Sequence, residues 1–280
     1  MHHSFRLLAL DIDGTLLDSR GELRQRTIRA IAHASEAGIR SVLCTGRRFR
    51  RARPIGEALG LNAPLVCNSG AVVKEPISGR TLWRADFPAE LLISILQVFQ
   101  DRGENVIGFS DRENEDWDFV ASRKSTDCEH FDQFVRMNLS HARIDSDWTT
   151  RDDPHFHICA IGNRSNMLDA ESAILDRLGD RVRTFVQKSP AYSGTMCEVL
   201  RADASKWSAV MHVADLWGIL PSEICAIGDD MNDLPMIEGA GFGVAMAHAP
   251  ESVRDAADHV TLGNDEDGVA LFIEEMLLRI

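Results

Sequence analysis

Nothing in the chain restricts its fold as much as the stretch Leu7-Leu8-Ala9-Leu10-Asp11-Ile12-Asp13-Gly14-Thr15, where an apolar run stops at two carboxylates and a glycine. A short unbroken apolar run suits a strand buried on both faces, as in a parallel sheet. Side chains alternate along a strand, so Asp11 and Asp13 project to the same side of the sheet's carboxyl edge. Gly14 lets the backbone turn close to a ligand. Two like charges this close repel, so either they share a proton or a divalent cation sits between them. Asp and Gly are also ordinary turn residues, and a strand running into a turn is the plainer reading of this fragment alone.

Three more polar clusters follow, each just after an apolar, strand-like run: Thr45-Gly46-Arg47, Lys206, and Gly228-Asp229-Asp230-Met231-Asn232-Asp233. Carboxyl ends of parallel strands are where open α/β sheets bind ligands. Taken together, the four clusters resemble the signature motifs of the haloacid dehalogenase superfamily of phosphohydrolases, and are most similar to its Cof-like branch of metabolite phosphatases. Asn68-Ser69-Gly70-Ala71 is similar to that branch's Asn-Gly-Ala loop. Gly243-Val244-Ala245-Met246 and Asp267-Gly268-Val269-Ala270 support the match towards the end of the chain.

The resemblance implies an α/β fold: a Rossmann-like parallel-sheet core domain with an inserted α+β cap domain of the C2 type. Apolar periodicity predicts a helix over 22–37, strands at 39–44 and 64–67, and a hairpin formed by 71–75 and 81–85 around Ser78-Gly79. From about residue 87 the pattern changes to mixed helices and strands, which implies a second, smaller domain. The core is placed at 1–86 and 200–280 and the cap at 87–199. A helix is expected over 204–217, with Lys206 in its first turn. A lysine there opposes the helix dipole, so another partner such as bound phosphate is expected for it.

Composition excludes several classes. At 280 residues the chain is long enough for two domains, and 44% hydrophobic with 26% charged residues is ordinary for a globular protein. The formal net charge of −13 disfavours nucleic-acid binding, which depends on Lys and Arg neutralising phosphates. Six scattered cysteines with no C-x-x-C pair read as reduced core thiols in a cytoplasmic protein. No apolar run reaches transmembrane length, so no membrane is expected as a partner, and the chain is expected to be a monomer or homodimer. No G-x-x-x-x-G-K-[ST] run for nucleoside triphosphates is present, and Gly239-Ala240-Gly241-Phe242-Gly243 lacks the spacing of a dinucleotide fingerprint.

Some groups carry two readings. Arg47, Arg48, Arg50, Arg51 and Arg53 either attract a phosphorylated substrate or form a solvated helix face. Many Cof-like relatives have proline where this chain has Arg48, and Lys-Gly where it has Lys206-Trp207, a change expected to narrow the cap interface. His155, His157 and Cys159 share a strand face, but without further ligands they read as a packed or substrate-facing face rather than a metal site. Trp117, Phe119, Phe131, Phe134 and Trp148 suit a core better than a substrate contact.

The family resemblance implies a reaction. Asp11 is the nucleophile that forms an aspartyl phosphate, and Asp13 is the general acid and base. Mg²⁺ is held by the carboxylates of Asp11 and Asp229 and the backbone carbonyl of Asp13, with Asp230 or Asp233 behind it. Thr45, Gly46, Lys206 and Asn232 bind the phosphoryl oxygens, and Arg47 contacts the substrate. The expected activity is Mg²⁺-dependent hydrolysis of small phosphorylated metabolites, sugar phosphates foremost. Alternatives are a phosphomutase of the same superfamily and a non-catalytic sugar-phosphate-binding regulator.

Overall fold

A computed structural model of the chain describes residues 5–111, 115–122, 128–145, 148, 154–188 and 192–278. In chain order the elements are β1 (Leu7–Leu10), α1 (Gln25–Glu36), β2 (Arg40–Leu43), α2 (Phe49–Ala58), β3 (Leu65–Cys67), β4 (Val72–Lys74) and β5 (Thr81–Arg84). Next come α3 (Ala89–Asp101), β6 (Val106–Phe109), β7 (Phe119–Ser122), α4 (Glu129–Met137), β8 (Ala142–Ile144), β9 (His157–Gly162), α5 (Arg164–Leu178), β10 (Val182–Lys188) and β11 (Thr195–Arg201). The chain ends with α6 (Lys206–Trp217), β12 (Ile224–Gly228), α7 (Leu234–Gly239), β13 (Phe242–Met246), α8 (Glu251–Ala256), β14 (His259–Thr261) and α9 (Gly268–Phe272). It divides into two compact units, Met1–Trp83 with Ser205–Ile280, and Arg84–Ala204. β11 runs without a break through Arg201 and lies within the second unit.

The first unit is built on a sheet of order β14-β13-β12-β1-β2, parallel throughout. This is the α/β sheet expected from the apolar run at Leu7. That strand is central, hydrogen-bonded to β12 on one side and β2 on the other, and all four of its residues are fully buried. Each buried leucine contributes about 1.5–3 kcal/mol, so the strand is held where it is by its own side chains. Strand order reverses at β1, and the carboxyl ends of β1 and β12 therefore flank the crevice such sheets use for ligands. A parallel bridge between Cys44 and Val66 ties β3 to the end of β2, and β3 pairs antiparallel with β4 in a three-stranded sheet that also holds β5, the strands expected at 71–75 and 81–85 being β4 and β5.

In the second unit the sheet order is β10-β11-β9-β6-β7-β8, with β7 and β8 its parallel pair among antiparallel neighbours. α3 presents Leu91, Leu92, Ile95, Leu96, Val98 and Phe99 to one core, where Ile158, Ala160, Met167, Ile174 and Val199 meet them. Trp148 joins this core, while on α4 Phe134 packs its ring edge against Phe119 at 5.3 Å. Phe119, Phe131, Phe134 and Trp148 are thus buried packing residues, and Trp117, only partly buried, packs against the same core as Trp148.

His155 sets its ring against Trp148 at 4.5 Å, and His157 sets its own against Phe109 at 4.7 Å. Among the described residues the grouping able to hold a metal lies elsewhere, at Asp11, Asp229 and Asp233. The six cysteines are free thiols, five of them buried. No helix of the described residues is long and apolar enough to cross a membrane.

Candidate active site

Asp11 is the first residue after β1, and its N–H donates to the Ile227 carbonyl at 3.0 Å, extending the β1–β12 pairing by one residue. Gly14 turns the chain with φ +83°, and a Cβ built there would lie 2.3 Å from Asp229 Oδ2. Only glycine lets the first turn approach the carboxylate that follows β12 this closely. Thr15 Oγ1 completes the junction, donating to Asp229 Oδ1 at 2.8 Å.

Lys206 opens α6, whose start is fixed by a reciprocal cap: Ser205 Oγ accepts from the Ser208 N–H at 3.0 Å, and Ser208 Oγ accepts from the Ser205 N–H at 2.9 Å. The ammonium is only 1% exposed and donates to Asp11 Oδ1 at 2.6 Å and Asp233 Oδ1 at 2.5 Å. Burial works against its charge, but Asp11 and Asp233 outweigh burial and push the lysine's pKa up. The helix-start lysine that opposes its own dipole is therefore explained by two carboxylates.

The acid-rich turn after β12 is shaped by Asp233, fully buried, whose Oδ2 accepts from the N–H groups of Asp229 and Asp230, both at 3.0 Å. The turn folds Asp233 back on Gly228 and towards Lys206, beside Asp11 and Asp229. Asp230 accepts from the Met231 N–H at 2.7 Å, and Asn232 is buried with Nδ2 3.4 Å from Ser69 Oγ.

Asp11, Asp229 and Asp233 each offer an oxygen within 4.8 Å of the others. Burial, Asp233, Asp229 and Asp13 together raise the Asp11 pKa well above the ordinary carboxylate range, against the opposing pull of Lys206. Burial also raises Asp233. Three carboxylates around one ammonium leave surplus negative charge, and their oxygens are the hard donors that Mg²⁺ prefers. The residues present fit that ion.

Thr45 follows β2, fully buried, with Oγ1 accepting from the Arg47 N–H at 3.0 Å. Gly46 sits between them in the same turn, half-buried. The Arg47 side chain does not point away as a free cation: it donates to both oxygens of Asp13, each at 2.6 Å. Arg48 is buried at the start of α2, and Arg53 pairs with Glu57 one helical turn on at 2.8 Å, as a solvated helix face requires.

Two neighbours escaped sequence reasoning. His248, after β13, places Nε2 3.5 Å from Asp229 Oδ2, and that contact holds its imidazole above the ordinary value. Ser69 has no sequence signal beyond its loop. Trp207 is partly buried, packed against Gly239 and the core of the first unit.

A parallel α/β sheet with a buried lysine and three carboxylates at its switch point defines a class: enzymes that work on anionic substrates at the sheet edge. The comparisons agree. Residues 8–273 match the model of the haloacid dehalogenase-like hydrolase family, and the chain belongs to that family. It is 27% identical to 5-amino-6-(5-phospho-D-ribitylamino)uracil phosphatase YwtE of Bacillus subtilis, over 97% of this chain and 98% of that one. It is 25% identical to pyridoxal phosphate phosphatase YbhA of Escherichia coli, over 98% of this chain and 99% of that one. The crystal structure of a haloacid dehalogenase-like hydrolase from Bacteroides thetaiotaomicron aligns with a TM-score of 0.78 at 27% identity, covering 97% of this chain and 99% of that one.

Proposed function

We propose that this hydrolase is a Mg²⁺-dependent, cytoplasmic phosphatase of small phosphorylated metabolites, sugar phosphates foremost, working through an aspartyl-phosphate intermediate. The observation that carries the reading is the Asp11 carboxylate: buried at the end of the central strand, 2.6 Å from an ammonium and clustered with Asp229 and Asp233. Burying such an arrangement costs stability unless a dianionic ligand and a cation complete it. Two relatives named for phosphatase activity on a phosphoribityl compound and on pyridoxal phosphate support the substrate class.

In this reading Asp11 attacks the phosphorus in line with the departing alcohol. Asp13 gives its proton to that alcohol, then takes one from the water that hydrolyses the acyl phosphate. Lys206 draws one Asp11 oxygen towards itself and neutralises phosphoryl charge, with Thr45, Gly46 and Asn232 supplying donors around it. Asp233 holds Lys206 and the Asp229 turn in register. Mg²⁺, held by Asp11, Asp229 and the Asp13 carbonyl, would supply charge neutralisation between nucleophile and phosphoryl group.

The test is phosphate release from a panel of phosphorylated metabolites and a generic aryl phosphate with Mg²⁺, comparing wild type with Asp11→Asn. Release by wild type and its loss in the variant are expected. Wild-type turnover retained by Asp11→Asn ends the assignment.

A further inference from the structure

Asn68, Ser69 and Gly70 run consecutively through left-handed backbone, with φ +50°, +55° and +94°. Two of the three carry a Cβ, for which this region is unfavourable, and all three are buried. A turn of this kind is retained only where its surroundings over-determine it, and strain of this sort concentrates at functional sites.

The surroundings are the phosphate-binding residues themselves. The Ser69 N–H donates to the Thr45 carbonyl and the Asn68 N–H to the Arg47 carbonyl, both at 3.0 Å, closing the loop that holds Gly46. On the other side a Cβ built on Gly70 would lie 2.1 Å from the Ser205 carbonyl and 2.5 Å from the Lys206 nitrogen. The turn is thus pressed against the first residue of α6. Above it, Ser69 Oγ accepts from Asn232 Nδ2 at 3.4 Å.

We propose that the Asn68–Gly70 turn is the element that holds the three parts of the phosphoryl cradle in register, and that Ser69 is its positioning residue, acting through Asn232. The inference rests on the phosphatase reading and deepens it. Thr45 with Gly46, Lys206 and Asn232 come from separate stretches of chain, and this one turn touches all of them. Its left-handed backbone is the shape that fits among them, and the Ser69 hydroxyl is the handle on Asn232.

Glycine and alanine at position 69 separate the two contributions. Both remove the hydroxyl, but only glycine relaxes the backbone. Ser69→Gly is expected to melt about 2 °C above Ser69→Ala. Both variants are expected to bind inorganic phosphate about fivefold more weakly than wild type in calorimetric titration with Mg²⁺, the loss of one hydrogen bond. Combining either with Asn232→Ala is expected to add little to Asn232→Ala alone, since the two residues act through one contact.

A merely structural serine would instead make phosphate affinity follow melting temperature, with the glycine variant the better binder. That result overturns the proposal, as do unchanged affinity in both variants or effects of Ser69→Ala and Asn232→Ala that multiply in full. Wild-type protein that neither binds phosphate nor releases it from an ester overturns the phosphatase reading and this inference with it. Normal wild-type binding, with Ser69 variants that bind equally well, overturns this inference alone.

Discussion

Both carboxylate oxygens of Asp13 accept from the Arg47 guanidinium, through Nε and a terminal nitrogen at 2.6 Å each. A planar fork of this kind fixes the orientation of a carboxylate as well as its position. Asp13 is the proposed proton donor, so the guanidinium sets where that group waits and must release one oxygen when the leaving alcohol arrives.

Arg47→Ala is expected to lower kcat about tenfold, because a mispositioned acid transfers its proton poorly. Arg47→Lys should recover little of it, since an ammonium is a point charge without the fork. The two side chains are 22% and 26% exposed, so the stability change should stay under about 1 kcal/mol. Steady-state phosphate release with a melting curve checks both halves; full activity of the lysine variant would show that charge alone suffices.

Lys206 and Asp11 should separate stability from turnover in opposite ways. Lys206→Met leaves Asp11 and Asp233 buried without their shared cation, a loss of about 3–5 kcal/mol. Asp11→Asn removes a carboxylate whose charge is already opposed by burial, Asp233, Asp229 and Asp13, and leaves Lys206 paired with Asp233. That variant should be at least as stable as wild type while releasing no phosphate above background. Urea unfolding beside a phosphate assay tests the pair, and an Asp11→Asn protein much weaker than wild type would contradict the charge balance described.

The sequence made this cluster legible as far as backbone patterning reaches. An unbroken apolar run followed by Asp11 predicts a strand inside a parallel sheet, and Asp11 meets Lys206 and Asp229 at the end of that strand. What it could not show is how a turn folds back on itself. Asp233 is four residues beyond Asp229, a separation that in a loose turn would carry it away. Its carboxylate instead accepts from the two N–H groups at the start of that turn and so returns to Lys206. The pairing of Arg47 with Asp13 was not legible either, because it depends on side-chain reach between neighbouring strands. The loop of Ser69 was legible as a motif, but its left-handed backbone and its contact with Asn232 leave no mark in composition or periodicity.

Gly14→Ala should cripple the site without replacing any catalytic or metal-binding side chain. The added Cβ would lie 2.3 Å from Asp229 Oδ2, at a backbone φ of +83° that alanine rarely adopts. Asp229 must shift, and the Thr15 hydroxyl that holds it at 2.8 Å shifts with it. Displacements of about an ångström cost on the order of a hundredfold in rate, and the Mg²⁺ concentration for half-maximal activity should rise as well. An alanine variant with wild-type metal dependence would show that the turn tolerates more than its geometry suggests.

His157 is buried in the second unit with its ring 4.7 Å from Phe109. Burial pushes its pKa down to about 3 from the ordinary 6.5. The ring is therefore neutral at pH 7, and its approach to Glu198 at 4.0 Å is not an ion pair there. A depressed folded-state value means the contribution to stability is complete above pH 6.5 and is lost on acidification. The unfolded chain takes up the proton first, and the loss continues until the folded form protonates near pH 3. The slope is about 1.4 kcal/mol per pH unit at most, or about 2 kcal/mol between pH 7 and pH 5. His157→Phe keeps a ring against Phe109 and removes the titration, so its urea midpoint should fall less than that of wild type over that range. Parallel pH curves for the two proteins would mean that the buried ring takes its proton as readily in the folded chain as in the unfolded one.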